Sequence, residues 1–254
     1  MSKIFTRPNR PLDWAATPHD FSGDNALGYY TAEAVQRYVY GTRWTTWDGR
    51  VYKYYNAVSA CYSYHGAGAA EPACLGYTAA PVAHAAGTRA ITATLASRSE
   101  DDLAGTAMII YDASGTDANF NAFIVGNDAT SGSTTTCYLE FPLPVAITTS
   151  DAYEIFENPY RELQEATNSY LFWHGVPMKN LTAAQKGWIQ TWGPSIVSSG
   201  ESVGSPGADT RLLRWGSNAS IFTESSKANA QIAGAILTGS STAYGPLIML
   251  QCST

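Results

Sequence analysis

The stretch 91–143 contains four short apolar runs: ITATLAS (91–97), TAMIIY (106–111), NFNAFIVG (119–126) and TCYLEFPL (136–143). Each run is bounded by Gly, Asp, Asn or Ser, which favour turns, and each is rich in β-branched or aromatic residues, which favour strands. In the third run Phe120, Ala122 and Ile124 recur at every second position, the period of an antiparallel strand with one buried face. The stretch therefore predicts four strands whose spacing fits a β-sandwich or jelly roll.

The remainder of the chain has the same character. Short apolar runs separated by Ser- and Gly-rich turns continue to the C-terminus: RLLRW (211–215), SIFT (220–223), NAQIAGAIL (229–237) and PLIMLQC (246–252). Charged residues make up only 14% of the 254 residues, and abundant Ser, Thr, Asn and Gly disfavour long helices. We expect an all-β protein with an antiparallel β-sandwich or jelly-roll-like domain and only one or two short helical turns.

Three segments depart from this strand pattern. Residues 1–28 hold Pro8, Pro11 and Pro18 with no periodic apolar pattern, and we interpret them as an extended N-terminal arm rather than a packed element, with a disordered N-terminus as the alternative. Residues 29–254 then form the β-rich domain, with a possible subdivision near 168–180. The plausible helical turns are residues 160–167 and LTAAQKG (181–187), where Thr182 and Gln185 have capping-box spacing and Gly187 can close the turn.

The segment GTRWTTWDGRVYKYYNA (41–57) predicts a β-hairpin. Asp48-Gly49 between two β-rich runs indicates a type I′ turn. This register would place Val51, Lys53 and Tyr55 on one face of the second strand and residues 50, 52 and 54 on the other. Since both faces carry aromatic rings, both are expected to be covered.

The segment 60–86 is rich in Gly and Ala, and its apolar residues do not recur with a period of 2 or 3.6. We therefore expect a long irregular excursion of the chain, that is, a loop without regular strands or helices. It contains two of the four cysteines, Cys61 and Cys74, with His65 and His84 nearby, so a zinc site is one hypothesis. No CxxC pair is present, and free, mostly buried thiols, including Cys137 and Cys252, are the preferred interpretation.

The charge balance limits the classes of partner. Lys and Arg total 15 against 21 Asp and Glu, giving a net charge of −6, which argues against a nucleic-acid partner. No run approaches the roughly 18 consecutive apolar residues of a membrane span, and the N-terminus has no apolar signal core, so no membrane partner or export is expected. The Gly-rich stretch 65–70 lacks the lysine of a phosphate-binding loop.

No constellation in the sequence predicts catalysis, cofactor binding or a metal site. The GxSxG signature of a serine hydrolase is absent, and the Asp112–Asp117 turn misses the EF-hand pattern. Acidic residues 154, 157, 162 and 165 leave a glycosidase carboxylate pair as a remote alternative. We expect no enzyme activity, no cofactor and no metal.

Seven Trp and 16 Tyr suggest two uses for aromatic rings. Exposed rings at Trp44, Trp47, Tyr52 and Tyr54 would stack on sugars, as in many carbohydrate-binding modules. The preferred alternative is that these rings fill the core or an oligomer interface.

Three segments, taken together, resemble a known group of proteins: DGRVYKYYNA (48–57), YEIFENPYREL (153–163) and HGVPMKNLTAAQKGWIQTWGPSIV (174–197). They resemble the capsid decoration, or cement, proteins of tailed bacteriophages. In that group a Gly-x-Pro approach leads through a short polar turn to a Trp, a Gln-Thr strand and a closing Gly-Pro. The matching positions here are Gly175, Pro177, Gly187, Trp188, Gln190, Thr191, Gly193 and Pro194. The Ala-rich loop between Cys61 and Cys74 has no counterpart in the pattern.

The resemblance implies a non-enzymatic protein on the outer surface of an icosahedral virion, made in the host cytoplasm. It implies a homotrimer that binds the major capsid protein and bridges neighbouring capsid subunits. A fibre-like or carbohydrate-binding virion or surface module is the second hypothesis, and a β-sandwich hydrolase is the third. The candidate partner contacts are Leu12, Trp14, Phe21, Trp44, Trp47, Tyr52, Tyr54, Trp188 and Trp192.

Overall fold

A computed structural model describes residues 32–46, 48–69, 74–113, 119–165, 172–204, 211–223, 226, 230–239 and 245–252. The described chain is all-β, with antiparallel ladders and no helix of seven residues or more, which confirms the predicted fold class. One sheet is nearly closed in the manner of a barrel, and the architecture is consistent with a β-sandwich. The arm predicted for residues 1–28 lies outside the described residues.

The strands, numbered in chain order, are β1 (Arg43–Thr45), β2 (Val51–Asn56), β3 (Ala67–Ala69), β4 (Cys74–Ala79), β5 (Ala90–Thr94), β6 (Thr106–Tyr111), β7 (Phe120–Asn127), β8 (Thr134–Leu139), β9 (Ala152–Phe156), β10 (Phe172–Pro177), β11 (Lys186–Ile196), β12 (Leu212–Trp215), β13 (Ile221–Thr223), β14 (Ile232–Thr238) and β15 (Leu247–Gln251). Single 3₁₀ turns lie at Pro159–Arg161 and Ser217–Ala219. Each of the eight runs quoted above for residues 91–143 and 211–252 overlaps one of these strands.

The described chain divides into two compact units. Unit 1 comprises described residues 74–158, and unit 2 comprises described residues 32–69 and 159–252. The chain therefore enters unit 1 after residue 69 and leaves it after Asn158, whereas the subdivision considered from the sequence was near 168–180.

Unit 1 is a six-stranded antiparallel sheet in the order β4-β9-β6-β7-β8-β5. Its strands alternate between buried and partly exposed side chains because one face covers a core of aliphatic residues. In β7 the predicted alternation is confirmed: Phe120 and Ala122 pack on this core and Ile124 is fully buried, while Phe123 on the opposite side is 41% exposed.

Unit 2 is a nine-stranded sheet in the order β1-β2-β11-β15-β14-β12-β13, with β10 bonded to β11 and β3 bonded to β10. The 11-residue strand β11 organises it, because β11 pairs with β2 along its first half and with β15 along its second half. The glycine-proline pair at 193–194 stays within the sheet. Gly193 and Pro194 pair with Leu250 and Met249 of β15.

Close backbone approaches in unit 2 depend on glycine. A Cβ atom added to Gly66 would lie 2.5 Å from Cζ3 of Trp215, and one added to Gly175 would lie 2.1 Å from the carbonyl oxygen of Gln190. Gly175 also has a φ of +154°, which side chains with a Cβ rarely adopt. These glycines allow large rings and neighbouring strands to pack at distances that no other residue permits.

Strands β3 and β4 correct the prediction that residues 60–86 form an irregular excursion. Strand β3 is fully buried and pairs with β10, while β4 pairs with β9. Periodicity failed here because Ala and Gly give no contrast between an apolar and a polar face.

Two turns also differ from the sequence expectation. The Gly49 amide donates to the Thr46 carbonyl at 3.0 Å and the Thr46 amide to the Arg50 carbonyl at 2.9 Å, so the loop has three residues, with Gly49 in the left-handed position at φ +82°. This is a turn followed by a glycine bulge rather than a type I′ turn. The turn after Thr182 has the predicted capping contact, from the Thr182 amide to Gln185 Oε1 at 2.8 Å. It forms a tight turn instead of helix, and Gly187 belongs to β11.

Candidate functional site

The predicted aromatic contacts fold into one buried cluster in unit 2. Trp44, Tyr52, Tyr54 and Trp188 are 4%, 0%, 1% and 2% exposed, and they pack together where β1, β2 and β11 meet. The Trp44 ring lies 5.1 Å from that of Tyr52 and 5.9 Å from that of Trp188, centroid to centroid. These rings are core residues, so they present no face to a sugar or a protein partner in this structure.

Hydrogen bonds and charge hold one rim of this cluster. The Tyr54 hydroxyl donates to the Glu33 carboxylate at 3.2 Å, and the Arg37 guanidinium pairs with the same carboxylate at 3.1 Å. Burial, and then the Glu33 charge, raise the pKa of Tyr38 to about 12. Burial also raises the pKa of Tyr54, so the phenols of Tyr38 and Tyr54 are neutral at physiological pH.

The remaining predicted contact residues have other positions. Trp192 is half-buried and borders a cavity of about 180 Å³ with Arg43, Thr45 and Val51. Leu12, Trp14, Phe21 and Trp47 lie outside the described residues. Of the nine predicted contact residues, the described part of the chain thus leaves Trp192 with partial access to a partner.

A group of charged and aromatic residues that the sequence did not single out lies beside β1 and β2. Arg43 and Lys53 are direct cross-strand partners, so two cations face each other. The Lys53 ammonium sits 4.8 Å from the ring centre of Tyr160, which contacts the ring of His174 at 4.7 Å. Burial and then the Arg43 charge lower the pKa of Lys53.

His174 is the most strongly perturbed histidine of the described chain. It is 3% exposed, is packed between the rings of Tyr160 and Phe172, and neither ring nitrogen has a hydrogen-bond partner among the described residues. Burial, and then the charge of Lys53, lower its pKa to about 3. His174 is therefore a neutral core ring. Its position in a strand of small and apolar residues is the sequence feature that could have predicted its burial.

Three of the four carboxylates considered for a glycosidase pair are bound by other side chains, and the fourth, Glu162, is exposed. Glu154 accepts a short hydrogen bond from the Tyr111 hydroxyl, Glu157 pairs with Arg98 at 3.0 Å, and Glu165 contacts His65 Nδ1 at 2.7 Å. Each of these contacts fixes the carboxylate in a structural role.

Three cysteines are buried free thiols, as predicted: Cys61, Cys137 and Cys252. Burial raises the pKa of each thiol to about 12. Within the described ranges no group of three or more His, Cys, Asp or Glu side chains could hold a metal ion. None of the described helical turns is long and apolar enough to cross a membrane.

Among the described residues, the large apolar side chains that are most exposed are not the predicted ones. In unit 1, Phe141 is 65% exposed and Phe123 is 41% exposed. The Glu140 amide donates a hydrogen bond to the Phe123 carbonyl at 2.8 Å. The segment that carries Phe141 therefore lies next to the strand that carries Phe123, at the β7–β8 pair. In unit 2, Tyr64 is 58% exposed at a turn.

No protein-family profile, curated protein sequence or solved structure matches this chain.

Proposed function

We propose that this protein is a structural virion protein that binds the outer surface of an icosahedral phage capsid. In this role it forms a homotrimer and stabilises the shell by bridging neighbouring major capsid protein subunits. The proposal rests on the three segments that resemble capsid decoration proteins and on how the first segment, the third segment and residues 159–163 of the middle one are arranged in unit 2.

The supporting observation is that these segments, far apart in sequence, form adjacent structure. Strand β2, from the first segment, pairs with β11, from the third, along the register that joins Asn56 to Lys186 and Tyr52 to Gln190. The Asn56 side chain donates to the Arg161 carbonyl at 2.9 Å, which ties in residues 159–163 of the middle segment. Segments that belong to one common fold are expected to lie next to each other in space, whereas short sequence matches that arise by chance are not.

Exposed rings on unit 1 supply a surface of the kind that protein partners bury. Phe123 and Phe141 are large, apolar and accessible, and aromatic residues contribute strongly to protein interfaces. They take the place of the buried rings at 44, 52, 54 and 188 as candidate contacts with the capsid.

The N-terminal segment adds a second point of attachment in this proposal. A tethered segment binds at a high effective concentration once the rest of the protein is docked, so two weak contacts give stable attachment. Residues 2–24 are therefore expected to be required for attachment to capsids and dispensable for folding of the β units.

The test uses the full-length chain and heads of the phage whose genome encodes it, prepared without this protein. Light scattering should give three times the chain mass of 27.2 kDa, and the protein should co-sediment with the heads. A monomer that does not co-sediment would overturn the proposal.

Three variants sharpen the test. Deleting residues 2–24 should leave the circular dichroism spectrum of the β units intact and abolish co-sedimentation. The double substitution Phe123→Ser with Phe141→Ser should also weaken co-sedimentation, whereas Val35→Ser, at a site 75% exposed in unit 2, is the matched control and should bind normally. Equal binding by all three would exclude the proposed contacts.

A further inference from the structure

A cavity of about 300 Å³ opens in unit 2 between the turn at residues 62–65, strands β10 and β11, and the start of β15. Its lining combines apolar and polar side chains. They include those of Arg50, Tyr64, Pro177, Gln190 and Pro194. This volume is at the lower end of the range typical of sites for small ligands.

Tyr64 lies at this cavity in a strained conformation. Its φ is +71°, in the left-handed region that a bulky residue rarely adopts. The turn is fixed on both sides, because the Ser198 amide donates to the Tyr64 carbonyl at 2.6 Å and the Asn180 side chain accepts from the Ser63 amide at 2.8 Å. Such strain persists where surrounding contacts enforce it and it is concentrated at functional sites. Here it holds an exposed phenol ring at the cavity.

Gln190 supplies a buried polar group with a fixed orientation. The residue is 2% exposed, and its Nε2 donates to the carbonyl oxygens of Trp192 at 3.1 Å and Pro194 at 2.9 Å. Both partners are acceptors, so the nitrogen must face them and the amide cannot be flipped. No described residue donates to Oε1, which is left as an acceptor in the cavity wall.

Arg50 brings a cation to the same cavity. Its Nε is held by Asp48 Oδ2 at 2.7 Å. Its stem crosses Gly193, where an added Cβ would lie only 2.7 Å from Arg50 Cγ. The backbone at position 193 also has a φ of +99°. Both this φ and the close approach of Arg50 favour glycine there. The backbone at this point is thus shaped to let the arginine reach the cavity.

We infer that this cavity binds a saccharide ring. An aromatic face attracts the weakly positive C–H hydrogens on one side of a sugar ring, and Tyr64 provides that face. Sugar hydroxyls both donate and accept hydrogen bonds, which matches an amide acceptor at Gln190 beside a guanidinium donor at Arg50. The two prolines give the apolar floor that a sugar's C–H groups also contact.

This site differs from the sugar-stacking site considered from the sequence, whose Trp44, Tyr52 and Tyr54 rings are buried. It also does not depend on the proposed capsid role, since a virion protein and a free module could both carry it. Local sequence does not distinguish Tyr64 from other tyrosines, because the strain that marks it is a property of the folded backbone.

The test is a glycan array of neutral, N-acetylated and acidic oligosaccharides probed with the full-length chain, followed by titration of the best-bound glycan. Tyr64→Gly removes the ring and also relieves the positive φ, so the variant should fold at least as well as the parent while losing about tenfold or more in affinity. Arg50→Lys keeps the charge but loses the planar fork, and it should also weaken binding.

Tyr62→Ala is the matched control. Tyr62 is in the same turn and 49% exposed, but it does not line the cavity, so this variant should bind like the parent. A blank array with the parent protein would overturn the inference, and so would equal loss of binding in Tyr62→Ala and Tyr64→Gly. Binding of proline-rich peptides by a parent protein that binds no glycan would assign the cavity to a peptide instead.

Discussion

The two units are both antiparallel β structures, but their cores differ in composition. Unit 1 is filled mainly by Ile, Leu, Met and Ala side chains; among its described residues Tyr153 is the one fully buried ring of the core cluster, and the partly buried Phe120 packs against it. Unit 2 buries four tryptophans among its described residues, Trp44, Trp173, Trp188 and Trp215, together with several tyrosines. The same strand geometry is therefore stabilised by small branched side chains in one unit and by large flat rings in the other.

This difference changes what the backbone must do. Rings such as Trp215 and Trp173 stack at 5.2 Å and leave no room for a Cβ at Gly66. In unit 1, by contrast, Gly87 and Gly132 occupy turns with nothing within 4 Å of an added Cβ. Close packing therefore depends on glycine in unit 2, although Gly49 of the same unit, like Gly87 and Gly132 of unit 1, serves a turn with open surroundings.

The largest effect is expected from Gly234→Ala in unit 2. Gly234 has a φ of +153°, and an added Cβ would lie 2.0 Å from the Met249 carbonyl oxygen, so strands β14 and β15 must separate. We expect a loss of about 3 kcal/mol or more in the free energy of unfolding, measured by urea titration with tryptophan fluorescence. All five described tryptophans lie in unit 2, so the signal reports on that unit.

Gly132→Ala is the control for this prediction. It meets only the cost of a left-handed alanine, about 1–2 kcal/mol, because its surroundings are open. Circular dichroism follows its unfolding, since the described part of unit 1 has no tryptophan. Equal losses in the two variants would mean that close packing is not what distinguishes the units.

The second effect is a loss of stability in acid that is specific to unit 2. His174 has a folded pKa of about 3 and an unfolded pKa of about 6.5, so on acidification the unfolded chain takes up the proton first. The contribution of the neutral His174 to the free energy of unfolding is fully present above pH 7. It decreases by about 2 kcal/mol between pH 7 and pH 5. The groups that face the imidazole are Lys53 and the rings of Tyr160 and Phe172.

His174→Gln should flatten this slope, measured as the urea midpoint of tryptophan fluorescence at each pH. His84 in unit 1 is more accessible, and His84→Gln should leave the unit 2 slope unchanged. If His174→Gln keeps the full slope, the acid sensitivity comes from other groups.

Local sequence pattern predicted four of the six strands of the aliphatic unit, β5 to β8, and did not predict β4 and β9. The run at 119–126 places Phe120, Ala122 and Ile124 at alternate positions, so both the strand and the inward face of β7 could be predicted. The hairpin at 41–57 was also found, and both faces of β2 are covered as expected, by Tyr54 in one cluster and Tyr55 in another. Local pattern is sufficient where contrast between the two faces is high.

Prediction failed where packing depends on distant residues. Strand β3 consists of Ala and Gly, and its place beside β10 follows from the ring of Trp173 and the gap at Gly66, which no local pattern shows. The aromatic residues were recognised as important, but composition could not tell a buried ring from an exposed one. Tyr64 and Tyr54 look alike in sequence and are 58% and 1% exposed.

A smaller effect is expected from Lys53→Met. The substitution removes one of two cations that face each other across β1 and β2, and like charges in direct opposition destabilise a sheet by up to about 1 kcal/mol. Stability at pH 7 should rise by a few tenths of a kcal/mol, since the lost contact with the Tyr160 ring offsets part of the gain. The pH slope should also become shallower, because the Lys53 charge helps to lower the His174 pKa.

Lys179→Met is the control, because Lys179 is exposed and should change neither quantity. A fall in stability for Lys53→Met would show that the ring contact outweighs the repulsion from Arg43.

The smallest effect concerns reactivity rather than stability and probes both units in one sample. Cys137 in unit 1 is fully buried, as is Cys61 in unit 2, and with a pKa of about 12 each thiol is about one part in ten thousand ionised at pH 8. Alkylation followed by peptide mass mapping should therefore leave both unmodified in the native protein. In Gly234→Ala, Cys61 should become reactive because the aromatic unit opens more often, while the aliphatic unit has lost no contact and Cys137 should label at the parent rate. Faster labelling of Cys137 in that variant would show that opening of the aromatic core also opens the aliphatic one, and the two cores would then have to be treated as a single cooperative structure.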